Sequence, residues 1–245
     1  MNLFQRAKYR LQWFERTLRR WTFRFQPEQT KATFFWIACM SGDARRLKKW
    51  IRIQPGLVNQ EDNCGNRPLT SAIFHFAKAD TVELLLEAGA DPNFIYRYSP
   101  LLWAAIRGNF QIMEVVKRFG GKVLASESAH FQALTGDAAS LADTLSANPN
   151  LLSQRMFDDM SLLHSAAMHG RLNCIELLVQ RGADLNAQDS HGQTPLFVAA
   201  RHGHEDAVKF FSSVGADSSI CDRSGWTPSR AAESGKHEAV VRLLR

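Results

Sequence analysis

Residues 194–203 read TPLFVAARHG, and residues 161–170, which lie 33 positions earlier, read SLLHSAAMHG. A third copy begins with WTPSRAA at residues 226–232, so that its Thr-Pro pair again follows at a distance of 33. The first two copies continue into apolar stretches that end in Gly-Ala-Asp, IELLVQRGAD at 175–184 and VKFFSSVGAD at 208–217. Self-similarity at such a period indicates a solenoid of stacked repeats.

Looser copies of the pattern occur earlier in the chain. RPLTSA at 67–72 is followed by VELLLEAGAD at 82–91, and SPLLWAAIRG stands at 99–108. Two further copies lack the Thr-Pro start and share the tripeptide GDA at 42–44 and 136–138, which are 94 positions apart. Since each copy reads as two short helices, the sequence predicts seven helix pairs, near residues 31–54, 66–89, 98–120, 126–147, 160–182, 193–215 and 226–245.

The fourth predicted pair is shorter than the others. Gly108 and Gly136, which occupy the same place in successive copies, are only 28 residues apart. No D-x-x-G-x-T-P turn is present between residues 120 and 129. The sequence therefore predicts a missing or shortened turn there, and a local irregularity in the stack.

These copies resemble the ankyrin repeat, whose pattern is T-P-L-H-x-A-A-x-x-G followed by V-x-L-L-L-x-x-G-A-D. The resemblance covers about residues 31–245. It implies an all-α ankyrin-repeat solenoid with short β-turn fingers, in which the fingers and the first helices form a concave face. It also implies a protein-interaction module or adaptor that binds a partner protein along that face. The sequence does not identify the partner, and we expect a monomer.

Some positions in the pattern are left free by the fold: the finger tips and the residues just before the glycine that follows the first helix. Here they are rich in aromatic, methionine, arginine and histidine side chains, which are common anchors of protein interfaces. Burial of individual members by a neighbouring finger is the alternative interpretation. The predicted partner-binding residues are Tyr96, Arg97, Tyr98, Arg107, Phe157, Asp158, Met160, Met168, His169, His191, Gln193, Arg201, His202, Arg223 and Trp226.

Motifs of catalysis and cofactor binding are missing from the sequence. It contains no G-x-S-x-G, G-x-x-x-x-G-K-[ST], G-x-G-x-x-G, H-E-x-x-H or C-x-x-C. We therefore expect no enzyme activity, no cofactor and no metal. The four cysteines are far apart, which fits a reducing compartment such as the cytoplasm, and we see no secretory signal peptide. The longest apolar run, residues 34–40, is much shorter than the roughly 18–20 residues that span a bilayer.

The net charge of +6 is concentrated at the N-terminus, because residues 1–25 carry seven cations and one anion. Apolar residues recur there at helical spacing, which predicts an amphipathic helix over residues 1–27, ahead of a repeat domain over 28–245. The rest of the chain is electrically balanced, which argues against nucleic-acid binding.

Three interpretations of this N-terminal helix remain open. It could cap the first helix pair, lie on an anionic membrane as the anchor of a peripheral membrane adaptor, or serve as a targeting or acidic-partner segment. The residues that would contact a membrane or an anionic partner are Arg6, Arg10, Trp13, Arg16, Arg20, Trp21 and Arg24.

Overall fold

The computed structural model describes residues 27–75 and 78–245, and these contain fourteen α-helices in seven pairs, as predicted. The chain divides into two compact units, of which the first extends through Ala90 and the second is Asp91–Arg245. The helices of the first unit are α1 (Pro27–Ser41), α2 (Ala44–Ile53), α3 (Pro68–Phe74) and α4 (Ala79–Glu87). Those of the second unit are α5 (Pro100–Ile106), α6 (Phe110–Arg118), α7 (Ser128–Thr135), α8 (Ala138–Ala147), α9 (Leu162–Met168), α10 (Leu172–Gln180), α11 (Pro195–His202), α12 (Glu205–Ser213), α13 (Pro228–Gly235) and α14 (Glu238–Leu243).

In the first unit, α1 packs on α3 and α2 packs on α4. Phe35, Leu47 and Leu85 are completely buried between these helices. Pro27, which we expected to end an N-terminal helix, is the first residue of α1, where the missing N–H of proline has no consequence. The other residues of the helix predicted over residues 1–27 lie outside the described part of the chain.

In the second unit, the helices form two rows. The first helices α5, α7, α9, α11 and α13 each contact the next, and the second helices α8, α10, α12 and α14 do the same. Small residues make this approach possible, because Ala166, Ala167, Ala199 and Ala200 are buried at the contact between neighbouring first helices. An apolar core therefore continues from one pair to the next, as expected for repeats that cannot bury a core alone.

The Thr-Pro motif explains where the first helices begin. At the start of α11, the Thr194 hydroxyl accepts the Phe197 N–H at 3.2 Å, and Pro195 occupies the first helical position. The Ser99 hydroxyl does the same for the Leu102 N–H at the start of α5. Each hydroxyl satisfies one of the N–H groups that a helix leaves free at its N-terminus.

The predicted β-turn fingers are present before α3, α11 and α13. In the finger before α11, the Asp189 carboxylate accepts the N–H groups of His191 (2.8 Å) and Gln193 (2.9 Å). The Asp189 N–H in turn donates to the Gln193 carbonyl at 3.0 Å. Asp62 and Asp222 make the corresponding bonds in the other two fingers, so one aspartate fixes the backbone of each turn.

The irregularity predicted at the fourth pair is also present. Instead of a finger, a short 3-10 helix, Ala125–Glu127, leads directly into α7. Glu127 is only 7% exposed, and its carboxylate accepts the Ser99 N–H (2.9 Å) and the Ser99 hydroxyl (2.6 Å). Within the described ranges, no helix is long and apolar enough to cross a membrane.

Candidate partner-binding surface

The turn before α9 and the fingers before α11 and α13 are joined through their backbones. The Ser190 N–H donates to the Asp158 carbonyl at 2.7 Å, and the Arg223 N–H donates to the His191 carbonyl at 2.9 Å. Each finger is therefore held by its own aspartate or by a neighbour, and the positions of the tips are fixed before any partner arrives.

The side chains at two of these tips remain open to solvent. His191 and Arg223 are both exposed. Gln193 is half-buried, and its Oε1 accepts a hydrogen bond from Nη1 of the exposed Arg201 on α11 at 3.0 Å. The structure thus brings together the finger and the first helix of the sixth pair, as the register of the repeat predicts.

Trp226 lies at the base of the last finger and is half-buried. The guanidinium carbon of Arg230 lies 4.9 Å from the centroid of its ring, which places a cation over the π face. Arg230 is not among the residues predicted from the sequence, although it follows Trp226 by only four residues.

His202 remains accessible to solvent at the end of α11, and its ring stacks on His204 with centroids 6.1 Å apart. Partial burial of the ring and the nearby charge of Arg201 lower the pKa of His202 to about 4. The side chain is therefore neutral near pH 7. The neutral ring can offer a partner protein one hydrogen-bond donor and one hydrogen-bond acceptor.

Met168 and His169, at the end of α9, make contacts within the protein. The Met168 side chain packs against the core, and its carbonyl oxygen lies 3.0 Å from Nε2 of His204. The His169 ring is half-buried, with Nε2 2.9 Å from the Ala105 carbonyl, and burial lowers its pKa. Arg107 is also half-buried, and burial lowers its pKa.

The third pair is preceded by a turn of a different kind. The Tyr98 N–H donates to the Tyr96 carbonyl at 2.7 Å across Arg97, whose φ of 62° lies in the left-handed region. Tyr98 is half-buried with its ring edge-on to Trp103, and Trp103 Nε1 donates to the Tyr96 carbonyl at 3.1 Å. Arg97 itself is exposed.

Before α9, the predicted residues form a tight turn. Asp158 has a φ of 66°, is exposed, and supplies the carbonyl that receives the Ser190 N–H. Met160 is half-buried, and its carbonyl accepts the Met156 N–H at 2.9 Å. The side chain of Phe157 lies outside the described part of the chain, as do Arg6, Arg10, Trp13, Arg16, Arg20, Trp21 and Arg24.

The predicted residues therefore separate into a compact group and scattered members. The group comprises His191, Gln193, Arg201, Arg223 and Trp226, on the sixth and seventh pairs. Tyr96, Arg97 and Tyr98 stand before the third pair, and the fourth pair between them and the group has no finger. In residues 27–75 and 78–245, no three or more His, Cys, Asp or Glu side chains are placed so that they could hold a metal ion.

Two family models of the ankyrin repeat match parts of this chain. A family model described as "Ankyrin repeats (3 copies)" matches residues 129–220 and 163–245, and one described as "Ankyrin repeat" matches 64–95. Together these ranges span more than half of the chain.

Curated relatives match over different lengths. The chain is 27% identical over 182 residues to the NF-kappa-B inhibitor cactus of Drosophila yakuba (73% of this chain, 37% of that protein). It is 33% identical over 172 residues to Ankyrin repeat and SOCS box protein 3 of Bos taurus (66% and 32%). It is 40% identical over 60 residues to Serine/threonine-protein kinase VIK of Arabidopsis thaliana (24% and 14%). The matched stretches thus span little more than a third, or less, of these relatives.

Proposed function

This chain belongs to the ankyrin-repeat family, and from that premise we propose that it binds a partner protein through the fingers and first helices of its last pairs. Ankyrin repeats are typically non-catalytic domains of protein-protein interaction. The binding surface that we propose consists of His191, Gln193, Arg201, Arg223 and Trp226, and we call it the finger surface. It belongs to the concave face expected from the repeat pattern.

The observation that carries this proposal is the combination of a fixed backbone with solvent-exposed side chains. Asp189 and Asp222 hold the tip backbones, and the Arg223 N–H ties one finger to the next. The side chains of His191, Arg201 and Arg223 are exposed, so the fold does not use them for its core. A surface that is ordered in advance loses little conformational entropy on binding, which favours affinity.

Charge and shape indicate what the finger surface can offer. Arg201 and Arg223 supply cationic hydrogen-bond donors, and Trp226 supplies an aromatic ring beside Arg230. Arginine and tryptophan are the residue types that most often dominate binding energy at protein interfaces. We therefore place the main contacts at the sixth and seventh pairs, and we assign supporting contacts to the exposed Arg97 and Asp158.

The proposal can be tested by comparing three forms of the full chain in affinity capture followed by quantitative mass spectrometry. The forms are the wild type, the variant H191A/R201A/R223A, and the control D206A/K209A/S212A on α12. All six replaced side chains are exposed, and the Asp206–Lys209 ion pair of the control is a surface pair of little energetic value. Both variants are expected to melt like the wild type.

We expect a set of proteins that the wild type and the control enrich equally and that the finger-surface variant recovers at least about tenfold less. Equal recovery by the finger-surface variant would overturn the assignment of the surface. We prefer these residues to Tyr98 for the test, because Tyr98 is half-buried against Trp103 and its replacement would alter stability as well as binding.

A further inference from the structure

Helix α2 carries a row of cations along one side. Arg45, Lys48, Lys49 and Arg52 follow one another at spacings of three, one and three residues, which places all four on a single helix face. All four are exposed, and together with Ile53 they line one open depression. The row extends over about 10 Å along the helix axis. We call these four cations and Ile53 the α2 stripe.

The cations of the α2 stripe are not neutralised by the described part of the protein. Arg46, on another side of α2, pairs with Asp43 at 3.2 Å. Among the described side chains, which begin at residue 32, no ion pair includes Arg45, Lys48, Lys49 or Arg52. Like charges three and four residues apart on a helix repel each other and destabilise it. An arrangement of this kind becomes favourable when an anionic surface lies against it.

Large apolar side chains are exposed in the same unit. Ile53, which belongs to the stripe, and Phe34 of α1 are each 53% exposed. The Phe34 ring lies parallel to that of Trp50 on α2, with centroids 6.3 Å apart. Cations beside exposed aromatic and aliphatic groups are the combination found where a helix lies in a membrane interface, because the cations meet headgroups and the apolar groups enter the acyl boundary.

The distribution of charge along the sequence also favours contact with an anionic membrane. Residues 1–53 carry thirteen cations and three anions, whereas residues 54–245 carry seventeen cations and twenty-one anions. A polybasic segment of this density is attracted to anionic lipid, and the attraction grows with each cation near the surface.

We propose that the α2 stripe docks on a bilayer that contains anionic phospholipids, with Ile53 as its apolar contact. The alternative occupant is an acidic protein segment, which would use the same cations. The exposed Ile53, which lines the same depression as the four cations, favours a bilayer, because an acidic peptide would gain little from an apolar side chain next to the charges. This proposal does not rest on the finger surface, whose residues all lie in the second unit.

The test is co-sedimentation of the full chain with vesicles of phosphatidylcholine alone or mixed with phosphatidylserine. The variant R45Q/K48Q/K49Q/R52Q removes the charge of the stripe, and the control K117Q/K122Q/K209Q/R242Q removes the same charge from exposed positions elsewhere. A second variant, Ile53→Ser, keeps the charge and removes the apolar contact. Melting curves verify that all variants fold, which we expect because every change is at an exposed position.

We expect the wild type and the control to bind the mixed vesicles and to release them as salt is raised, because salt screens the attraction. The stripe variant should bind at least tenfold more weakly, and Ile53→Ser several-fold more weakly. Undiminished binding by the stripe variant would overturn the proposal, and so would equal weakening of the control. Binding of the wild type to polyglutamate but not to mixed vesicles would instead identify an acidic protein segment as the occupant.

Discussion

Nε2 of His169 lies 2.9 Å from the carbonyl oxygen of Ala105, which is 64 residues earlier in the chain. His169 follows α9, in the fifth pair, whereas Ala105 belongs to α5, in the third, so this contact passes over the fourth pair. Arg171 contacts both preceding pairs. Its Nε donates to the Leu134 carbonyl of the fourth pair at 3.0 Å, and its guanidinium carbon lies 5.3 Å from the centroid of the Phe110 ring in the third pair. The shortened fourth pair thus lets its two neighbours meet.

Replacing His169 with alanine should therefore loosen the second unit. The change removes the contact with the Ala105 carbonyl and the packing of a half-buried ring, and a lost hydrogen bond of this kind lowers the free energy of unfolding by about 1 kcal/mol. Urea denaturation followed by circular dichroism measures the effect. The matched control is His191→Ala, which removes an exposed imidazole and should change stability by less than about 0.5 kcal/mol. Equal effects of the two changes would show that the contact with Ala105 does not contribute to the free energy of unfolding.

Most of the fold could be predicted because the residues of the repeat motif each favour a particular local structure. Thr194-Pro195 specifies a capped helix start, Ala199-Ala200 a close helix contact, and Asp189 the turn before them. Each of these acts over a few residues, so a periodic sequence reveals them. Even the irregular fourth pair could be located, because its Gly-to-Gly spacing is too short for a finger.

Less of the candidate site could be predicted, because exposure depends on residues that are distant in the sequence. His169 and His202 hold equivalent places in their repeats, yet His169 is half-buried by a contact across the fourth pair, whereas His202 stays accessible. The pattern gives no signal for this difference. The role of Glu127 was not predicted either, since the regular copies in this chain have Ser99, Ser161 or Thr194 at that place.

The change Glu127→Gln tests how much the buried carboxylate contributes to the stability of the protein. Both of its oxygens accept hydrogen bonds, one from the Ser99 N–H and the other from the Ser99 hydroxyl and the Leu124 N–H. An amide has only one oxygen and would direct an NH₂ group at one set of these donors. We expect the free energy of unfolding to fall by about 1–3 kcal/mol, as for other buried groups left unpaired. Urea denaturation measures the loss, and hydrogen exchange at the Ser99 amide should accelerate.

Glu114→Gln is the control for this experiment. Glu114 is exposed, and Lys117 contacts it at 3.1 Å in a surface ion pair, which contributes little. Its replacement should alter stability by less than about 0.5 kcal/mol and leave exchange at Ser99 unchanged. If Glu127→Gln were as mild as Glu114→Gln, the carboxylate would not be what joins the third and fourth pairs.

Stability should fall as the pH falls below about 6.5, because burial lowers the pKa values of several histidines, and the pKa of His130 is the lower of two values, about 3 against about 4 for His202. Burial, aided by the charges of His164 and Arg155, lowers the pKa of His130 to about 3, whereas an unfolded chain has a histidine pKa of about 6.5. Between these values the unfolded chain binds a proton that the folded chain does not, so acid favours unfolding. Between about pH 6.5 and about pH 5, His130 should lower the free energy of unfolding by about 1–2 kcal/mol.

His130→Gln provides the comparison for the pH dependence. The variant is expected to be less stable at pH 7, because the contact of Nδ1 with the Ser165 hydroxyl at 2.8 Å is lost. Its stability should nevertheless decline less steeply with acid, since one titrating group is gone. Urea denaturation at a series of pH values gives both slopes, and parallel curves would exclude His130 as the source. His202 and His164, whose pKa values are also lowered by burial, would then be the next residues to replace.

The Gly203→Ala change should reveal how tightly the last two pairs approach. Gly203 has a φ of 78°, and a methyl group there would come closer than 3.0 Å to the ring of His237. Gly215 has a φ of 85° but no atom within 4 Å of that place, so Gly215→Ala measures the backbone strain alone, about 1–2 kcal/mol.

Gly203→Ala should cost about 1–3 kcal/mol more in urea denaturation, because the His237 ring must move. That excess should disappear when His237 is also replaced by alanine, as in any double-mutant cycle of two contacting residues. An excess that persisted without His237 would mean that some other neighbour limits the approach.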